Sequence, residues 1–332
     1  MKTPSFPLLL GLLSGLLILF LAASLLIGPS AAGVFSLPRA FARGDTELAW
    51  IVALEIRLPR TLLAAMVGAT LGLAGAALQG YLRNPLADPG VIGVSSSAAL
   101  GAVLALYTGL SAVIPLALPL AAIAGALACA LLLQGLAGRG GVLTLILAGV
   151  AIASLAGALS ALALNLSPNP YAALEIVFWL LGSVTDRSLN HVWLSAPFIL
   201  AGWALLAASA PSLEALTLGE DAAASMGVDL ARTRWLVVGG AALCVGAATA
   251  VSGVIGFIGL IVPHLVRPLV GHSPGRVLPA SALAGAALLT AADVLVRLLP
   301  TGGELRLGVV TALIGAPFFL WLVIRARVEL EP

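Results

Sequence analysis

Long apolar runs separated by short polar turns dominate the sequence, and their lengths set the reading. Thr61 to Tyr81 contains no charged residue, and about twenty apolar residues suffice for a helix to cross the hydrocarbon of a bilayer. Arg57 and Arg60 mark one end of this run and Arg83 the other. The stretch that follows, Asn84-Pro85-Leu86-Ala87-Asp88-Pro89-Gly90, holds two prolines and a glycine, so no helix continues through it. The same length rule predicts spans at about 8–28, 61–81, 92–110, 113–136, 143–166, 191–209, 234–251, 254–271, 277–299 and 307–324. The expected fold is an all-α polytopic membrane protein of about ten transmembrane helices, one transmembrane domain over residues 1–332. A signal peptide competes for the first run, since Ser30-Ala31-Ala32 offers a cleavage site; signal h-regions run to about 7–15 residues, so this longer run reads as a retained span.

Two segments break the pattern. Tyr171 to Leu181 is apolar but too short to cross, which predicts an interfacial or re-entrant helix with Glu175 inside it. Residues 210–232 form a long polar stretch with Glu214, Glu220, Asp221, Asp229 and Arg232; glycines at 219 and 227 predict short helices broken at those points. Within the spans, small residues recur four apart at Gly68, Gly72, Ala76 and Gly80, and again at Gly149, Ala153, Gly157 and Ala161. That spacing puts each set on one helix face, where small side chains let a second helix approach closely. A tight helix contact and the wall of a pathway are both compatible with such a face.

Composition agrees with the pattern. The chain is 61% hydrophobic and 9% charged, against about 25% charged residues in a soluble domain. No run of Lys and Arg suggests nucleic-acid binding. Cys129 and Cys244 lie inside separate apolar runs and read as small core residues. Ten spans place both termini on one side. With the termini inside, Arg39, Arg43, Arg57, Arg60, Arg187, Arg297 and Arg306 fall outside and the other nine of the sixteen basic residues inside, a weak inside bias. An outer face this rich in arginine fits the docking of an acidic partner.

The chemistry-bearing residues exclude more than they assign. Lys2 is the only lysine, so the chain has no phosphate-binding loop with its lysine and cannot itself be a P-loop ATPase. No His/Cys spacing suggests a metal site. His264 and Arg267 share a face near the inner end of the eighth span; His191 and His272 sit at helix ends without a pattern. Ion-coupled secondary transport calls for ionisable groups near the bilayer midplane, and the middle third of no span supplies one. The spans offer no catalytic constellation either, so the chain reads as a transport subunit with no enzyme activity and no cofactor of its own.

Arg57-Leu58-Pro59-Arg60-Thr61 followed by Asn84-Pro85-Leu86-Ala87-Asp88-Pro89-Gly90-Val91-Ile92-Gly93-Val94-Ser95 resembles the membrane subunit of binding-protein-dependent ABC importers for iron–siderophores, haem and cobalamin, the FecCD type. Leu218-Gly219-Glu220, Gly256-Phe257-Ile258-Gly259-Leu260-Ile261-Val262-Pro263-His264 and Gly308-Val309-Val310-Thr311-Ala312-Leu313-Ile314-Gly315-Ala316-Pro317 are similar to later family stretches in the family's order. The resemblance implies a type II ABC importer permease fold in the bacterial inner membrane. Its function would be to move an iron chelate, siderophore or haem, with cobalamin as the alternative cargo and ion-coupled secondary transport a more distant one. It implies three protein partners: an ATP-binding cassette subunit that binds the ATP, a periplasmic substrate-binding protein, and a second copy of the chain.

The resemblance also implies roles for particular residues. Arg57, Arg60 and Arg297 match positions that meet acidic residues on the two lobes of the binding protein; guanidinium suits this, since it pairs bidentately with carboxylates and stays charged. Snorkelling at a helix end for the first two, and an i,i+4 pair with Asp293 for the third, are the plain structural alternatives. Glu214, Leu218, Gly219 and Glu220 match the core of the coupling helices that sit in a cleft of the ATPase. Asn84 and Leu86 with Val142 and Leu143 match a cytoplasmic gate, although Val142 and Leu143 are apolar where some relatives have hydroxyl residues. Gly149, Ala153, Gly157 and Ala161 would line the pathway. Arg306 departs from the family's apolar residue or proline and could pair with Glu304.

Overall fold

The computed structural model describes residues 5–28, 36–114, 116–138, 141–167, 169–299 and 305–330. Lys2 and Glu304 lie outside them, so the expected Arg306–Glu304 pair does too. The described residues contain helices and no strand. The chain opens with α1 (Phe6–Leu26), and the polar connection after it contains α2 (Ser36–Arg43) and α3 (Thr46–Ile51). α3 runs through one π-helical stretch, Val52–Arg57, into α4 (Leu58–Tyr81), so the second span begins further out than its apolar run suggests.

Then follow α5 (Val94–Tyr107), the single turn α6 (Leu110–Val113), α7 (Ala117–Ala137), α8 (Val142–Asn165) and the short α9 (Pro170–Leu180). After α10 (Leu189–Ala208) come three short helices, α11 (Ala210–Leu216), α12 (Glu220–Ser225) and α13 (Leu230–Arg234). Gly219 and Gly227 separate them at φ +104° and +86°, values that favour glycine. The second half of the chain is α14 (Gly240–Ser252), α15 (Ile258–Val266), α16 (Pro274–Leu298) and α17 (Leu307–Leu330).

Seven of these helical stretches, among the described residues, are long and apolar enough to cross a membrane, against the ten expected. Two of the three further spans, α5 and α15, are shortened by local turns. α5 has 14 residues, about 21 Å at 1.5 Å per residue, less than the roughly 30 Å of hydrocarbon. The turn before it, Asn84 to Gly93, takes up chain that the hydropathy pattern assigned to helix. α15 starts at Ile258 and not at 254, because Gly253 and Phe257 hold φ of +68° and no helix forms between them. In α17 the described apolar part is Leu307–Leu322.

The core is built around α4, which is buried along most of its length by α16, α14 and α15. The Gly68 ladder explains the α4–α16 approach. A Cβ at Gly68 would lie 2.3 Å from the Gly285 carbonyl oxygen and one at Gly72 2.2 Å from that of Ser281, so the two backbones touch and only glycine fits at the crossing. This resolves the first small-residue face as a helix contact within the chain. Ser24 Oγ and Thr61 Oγ1 are 2.6 Å apart, and Trp203 Nε1 donates to Thr70 Oγ1 at 3.0 Å; interhelical bonds of this kind contribute about 0.6–1.7 kcal/mol each. α1 and α8 are mostly uncovered by the rest of the chain. Cys129 and Cys244 are buried and free.

Candidate functional site

The chain gathers its chemistry at the two ends of the bundle. At one end the predicted docking residues Arg57, Arg60 and Arg297 come together with Asp293. Arg60 donates from Nε (3.0 Å) and Nη2 (2.8 Å) to Asp293 Oδ1. Arg297, one turn after Asp293 on α16, donates from Nη2 to its Oδ2, so the expected i,i+4 pair is present. Arg297 also reaches Ser24 Oγ (2.8 Å) and the carbonyls of Ser24 (2.7 Å) and Ile27 (3.1 Å), while Arg57 Nη1 donates to the carbonyls of Leu25 and Leu26, both at 2.8 Å. The last turn of a helix leaves four carbonyls without partners and a partial negative charge. Here α1 ends against two guanidiniums that supply both needs.

This differs from the expectation of exposed docking side chains. Arg57, Arg60 and Arg297 are 3%, 7% and 3% exposed and Asp293 1%. The physical reason is the last turn of α1, which folds over them; the sequence reading had no means to place that helix end. Among the described residues, three guanidiniums gather around one carboxylate at this end.

At the opposite end, α11 packs against α4 and α16, with α12 against α11. Glu214 Oε1 accepts from Ser273 Oγ (2.8 Å) and from the Gly275 N–H (3.3 Å). An α11 residue thereby supplies the acceptor for the N-terminus of α16, whose own Ser273 side chain makes no cap bond to its helix. Arg83, just after α4, reaches Glu220 at 3.4 Å. Leu218 is 67% exposed and stands between these contacts, open to a partner. All four predicted coupling residues, Glu214, Leu218, Gly219 and Glu220, thus lie in one surface patch.

The four predicted gate residues are not brought together in the single chain. Asn84 caps its own turn, its Oδ1 accepting from the Leu86 N–H at 2.9 Å, and borders a cavity of about 210 Å³ with Gln79 and Arg267. Val142 borders a separate cavity of about 270 Å³ beside Tyr81 and Arg234, and Leu143 is exposed. The α8 ladder also divides: Gly149 is buried, where a Cβ would lie 2.7 Å from Ile92 Cα, whereas a Cβ at Gly157 meets nothing within 4 Å and Ala161 is exposed. Ala153 is half-buried.

Sequence reasoning missed three features here. Arg267 Nη2 donates to Gln79 Oε1 (2.7 Å), and Gln79 Nε2 donates to the Gly259 carbonyl (3.2 Å), joining α4 to α15. A lone amide in an uncharged run was the available signal. Asp88 caps the turn by accepting from the Gly90 N–H at 2.8 Å, and burial pushes its carboxyl up to about 6 against that hydrogen bond. The Glu214–Ser273 contact had no sequence signal. His264 stacks edge-on to Phe318, centroids 5.8 Å apart. Among the described residues no group of three or more His, Cys, Asp or Glu could hold a metal ion.

The whole chain has close relatives. It is 42% identical over 299 residues to the cobalamin import system permease protein BtuC of Halobacterium salinarum, covering 89% of this chain and 79% of that one. It is 37% identical to the hemin transport system permease protein HmuU of Yersinia pestis, covering 93% and 95%, and 40% identical to the Fe(3+) dicitrate transport system permease protein FecD of Escherichia coli, covering 84% and 86%. Its structure superposes at a TM-score of 0.86 on an inward-facing transporter assigned to the metal-chelate ABC type, with 35% identity, covering 96% and 99%. Residues 16–325 match the model of the FecCD transport family, and the chain belongs to that family.

Proposed function

We propose that the chain is the permease subunit of a binding-protein-dependent ABC importer that carries an iron chelate, siderophore or haem, across the bacterial inner membrane. The observation that supports this most is family membership across residues 16–325. Cobalamin is the second reading, favoured by the 42% identity to a cobalamin permease. The absence of any lysine but Lys2 supports a separate ATPase, which would take the patch of Glu214, Leu218, Gly219 and Glu220. The binding protein would dock over the cluster of Arg57, Arg60 and Arg297 at the other end.

Ten spans with both termini cytoplasmic remain our reading of the topology. The seven long helices would be joined by α5, α15 and α17, with the chain before α15 covered by protein at Gly253 and Ile255. Non-helical backbone is tolerated at membrane depth when so covered, and the Ser183 N–H donates to the Ser252 carbonyl (2.7 Å) next to the α14–α15 break. Two copies of the chain would form the pathway, each contributing its α8 face at Gly149, Ala153, Gly157 and Ala161 and its gate residues Asn84, Leu86, Val142 and Leu143. Reconstitution with the cognate ATPase and binding protein, followed by uptake of a ferric siderophore, haem and cobalamin in parallel, tests the proposal. ATP-dependent uptake of one of the iron chelates is expected; uptake of cobalamin alone would select the second reading, and no ATP-dependent uptake of any would reject both.

A further inference from the structure

A cavity of about 640 Å³ opens at the arginine-cluster end of the bundle, between the ends of α5 and α7, α9 and the start of α10. None of the proposed transport residues lines it. Its polar side carries Arg187, Asn190 and Glu175, and its apolar side Leu106, Leu118 and Leu194. Arg187 is the unusual member. Its Nε is buried and has no hydrogen-bond partner among the described residues, a costly state for a charged donor unless a ligand supplies the acceptor. Burial depresses the proton affinity of the same guanidinium. Its neighbours His191 and Ser188 satisfy one another, the Ser188 N–H donating to His191 Nδ1 at 3.2 Å, so they do not compensate it.

The depth of the cavity is marked independently. Trp193, at the start of the second turn of α10, is 74% exposed and Tyr171, on the first turn of α9, is 83% exposed. Uncovered Trp and Tyr at helix ends belong at the level of lipid headgroups, where an apolar ring with a polar edge is most stable. A pocket at that depth, with a guanidinium whose buried Nε lacks an acceptor even beside the Asp186 carboxylate and with aliphatic walls opposite, has the polarity of a phospholipid. Arginine is suited to a phosphate diester through two parallel N–H donors. Glu175 stands on the same lining and would repel a purely anionic headgroup but attract an ammonium.

We propose that this cavity binds the headgroup of a zwitterionic phospholipid of the phosphoethanolamine class, with the phosphate on Arg187, the ammonium toward Glu175 and the start of an acyl chain along Leu106, Leu118 and Leu194. The volume lies in the range of about 300–1,000 Å³ typical of ligand sites, enough for a headgroup and part of one chain.

The test uses the purified, delipidated full-length protein, assembled with its ATPase, and reads both thermal stability and lipid retained in native mass spectrometry. Phosphatidylethanolamine, phosphatidylglycerol and inorganic phosphate are added separately. Phosphatidylethanolamine should be retained and should raise the thermal midpoint most, Arg187→Gln should lower its retention at least tenfold, and Glu175→Gln should abolish the preference over phosphatidylglycerol. Ala112→Trp, which fills the cavity from an exposed position, should displace the lipid while leaving the charges in place, and serves if the Arg187 variant does not fold. Equal retention by wild type and these variants would overturn the site. An equal effect of inorganic phosphate would make it a free-anion site and overturn the lipid, and equal or tighter phosphatidylglycerol binding would overturn the zwitterion.

Discussion

Arg57 shows how burial changes the experiment a residue calls for. Its guanidinium holds two carbonyls at the end of α1, so reversing its charge would place a carboxylate against those oxygens and near Asp293. A docking effect and a folding defect would then be inseparable. Glutamine keeps an N–H donor on a shorter side chain and removes the charge without introducing the opposite one. Arg57→Gln should therefore weaken binding-protein affinity about two- to fivefold, the scale of one partly screened charge pair of about 0.2–1 kcal/mol, with the difference shrinking at high salt. The thermal midpoint, read alongside, separates loss of the α1 carbonyl contacts from loss of docking. Affinity measured in nanodiscs at low and high salt checks this, and an unchanged affinity would remove Arg57 from the docking face.

Among the elements, α11 and α16 make the contact that distinguishes an organised loop from a solvated one. Glu214 acts as a cap in trans for α16, and loss of a cap costs about 0.5–2 kcal/mol. Glu214→Ala should lower cargo uptake by the assembled importer while ATP hydrolysis by the ATPase persists, whereas Glu214→Gln, which retains the accepting oxygen, should recover most of the uptake. Paired uptake and hydrolysis assays on one preparation read this out; equal loss in both variants would assign the effect to charge. The elements themselves were largely legible in the sequence. The breaks at Gly219 and Gly227 and the short helix after Asn169 follow from local chemistry, as Asn169 caps α9 by accepting from the Ala172 N–H at 2.8 Å. The truncation of α5 and α15 was not legible, because Ile92 and Ile255 are as apolar in a buried turn as in a helix. Nor was the cover over the arginines, since hydropathy places helices along the membrane normal and says nothing of which end leans on which.

For the whole molecule, the largely uncovered face of α8 is where the proposed second copy would sit. Leucine at Gly149 would strike Ile92 inside its own chain, but at Gly157 it enters open space. Gly157→Leu should leave each chain folded and reduce pairing or uptake, seen as a shift toward the one-copy species by light scattering or native mass spectrometry and a loss of transport. Normal pairing and uptake would move the second copy away from this face.

The contact of α4 with α16 has a consequence that reaches both ends. α16 has 25 residues, about 37 Å of helix, with the Glu214 contact at its start and Asp293 and Arg297 at its finish. α4 runs beside it from Arg60 to the residue before the Arg83–Glu220 contact. Joined backbone to backbone at Gly68 and Gly72, the two helices should tilt together, as a single lever between the arginine cluster and the Glu214 patch. Any energy that tilting moves in one direction must also move in the other. Asp293→Asn should then change the nucleotide affinity of the ATPase subunit in the intact assembly, several nanometres away, and bound nucleotide should alter binding-protein affinity by the same factor that binding protein alters nucleotide affinity. Calorimetric titration of both ligands on wild type and variant decides it; unequal factors in the wild type, or an unmoved nucleotide affinity in the variant, would mean that the two ends are not joined by this pair.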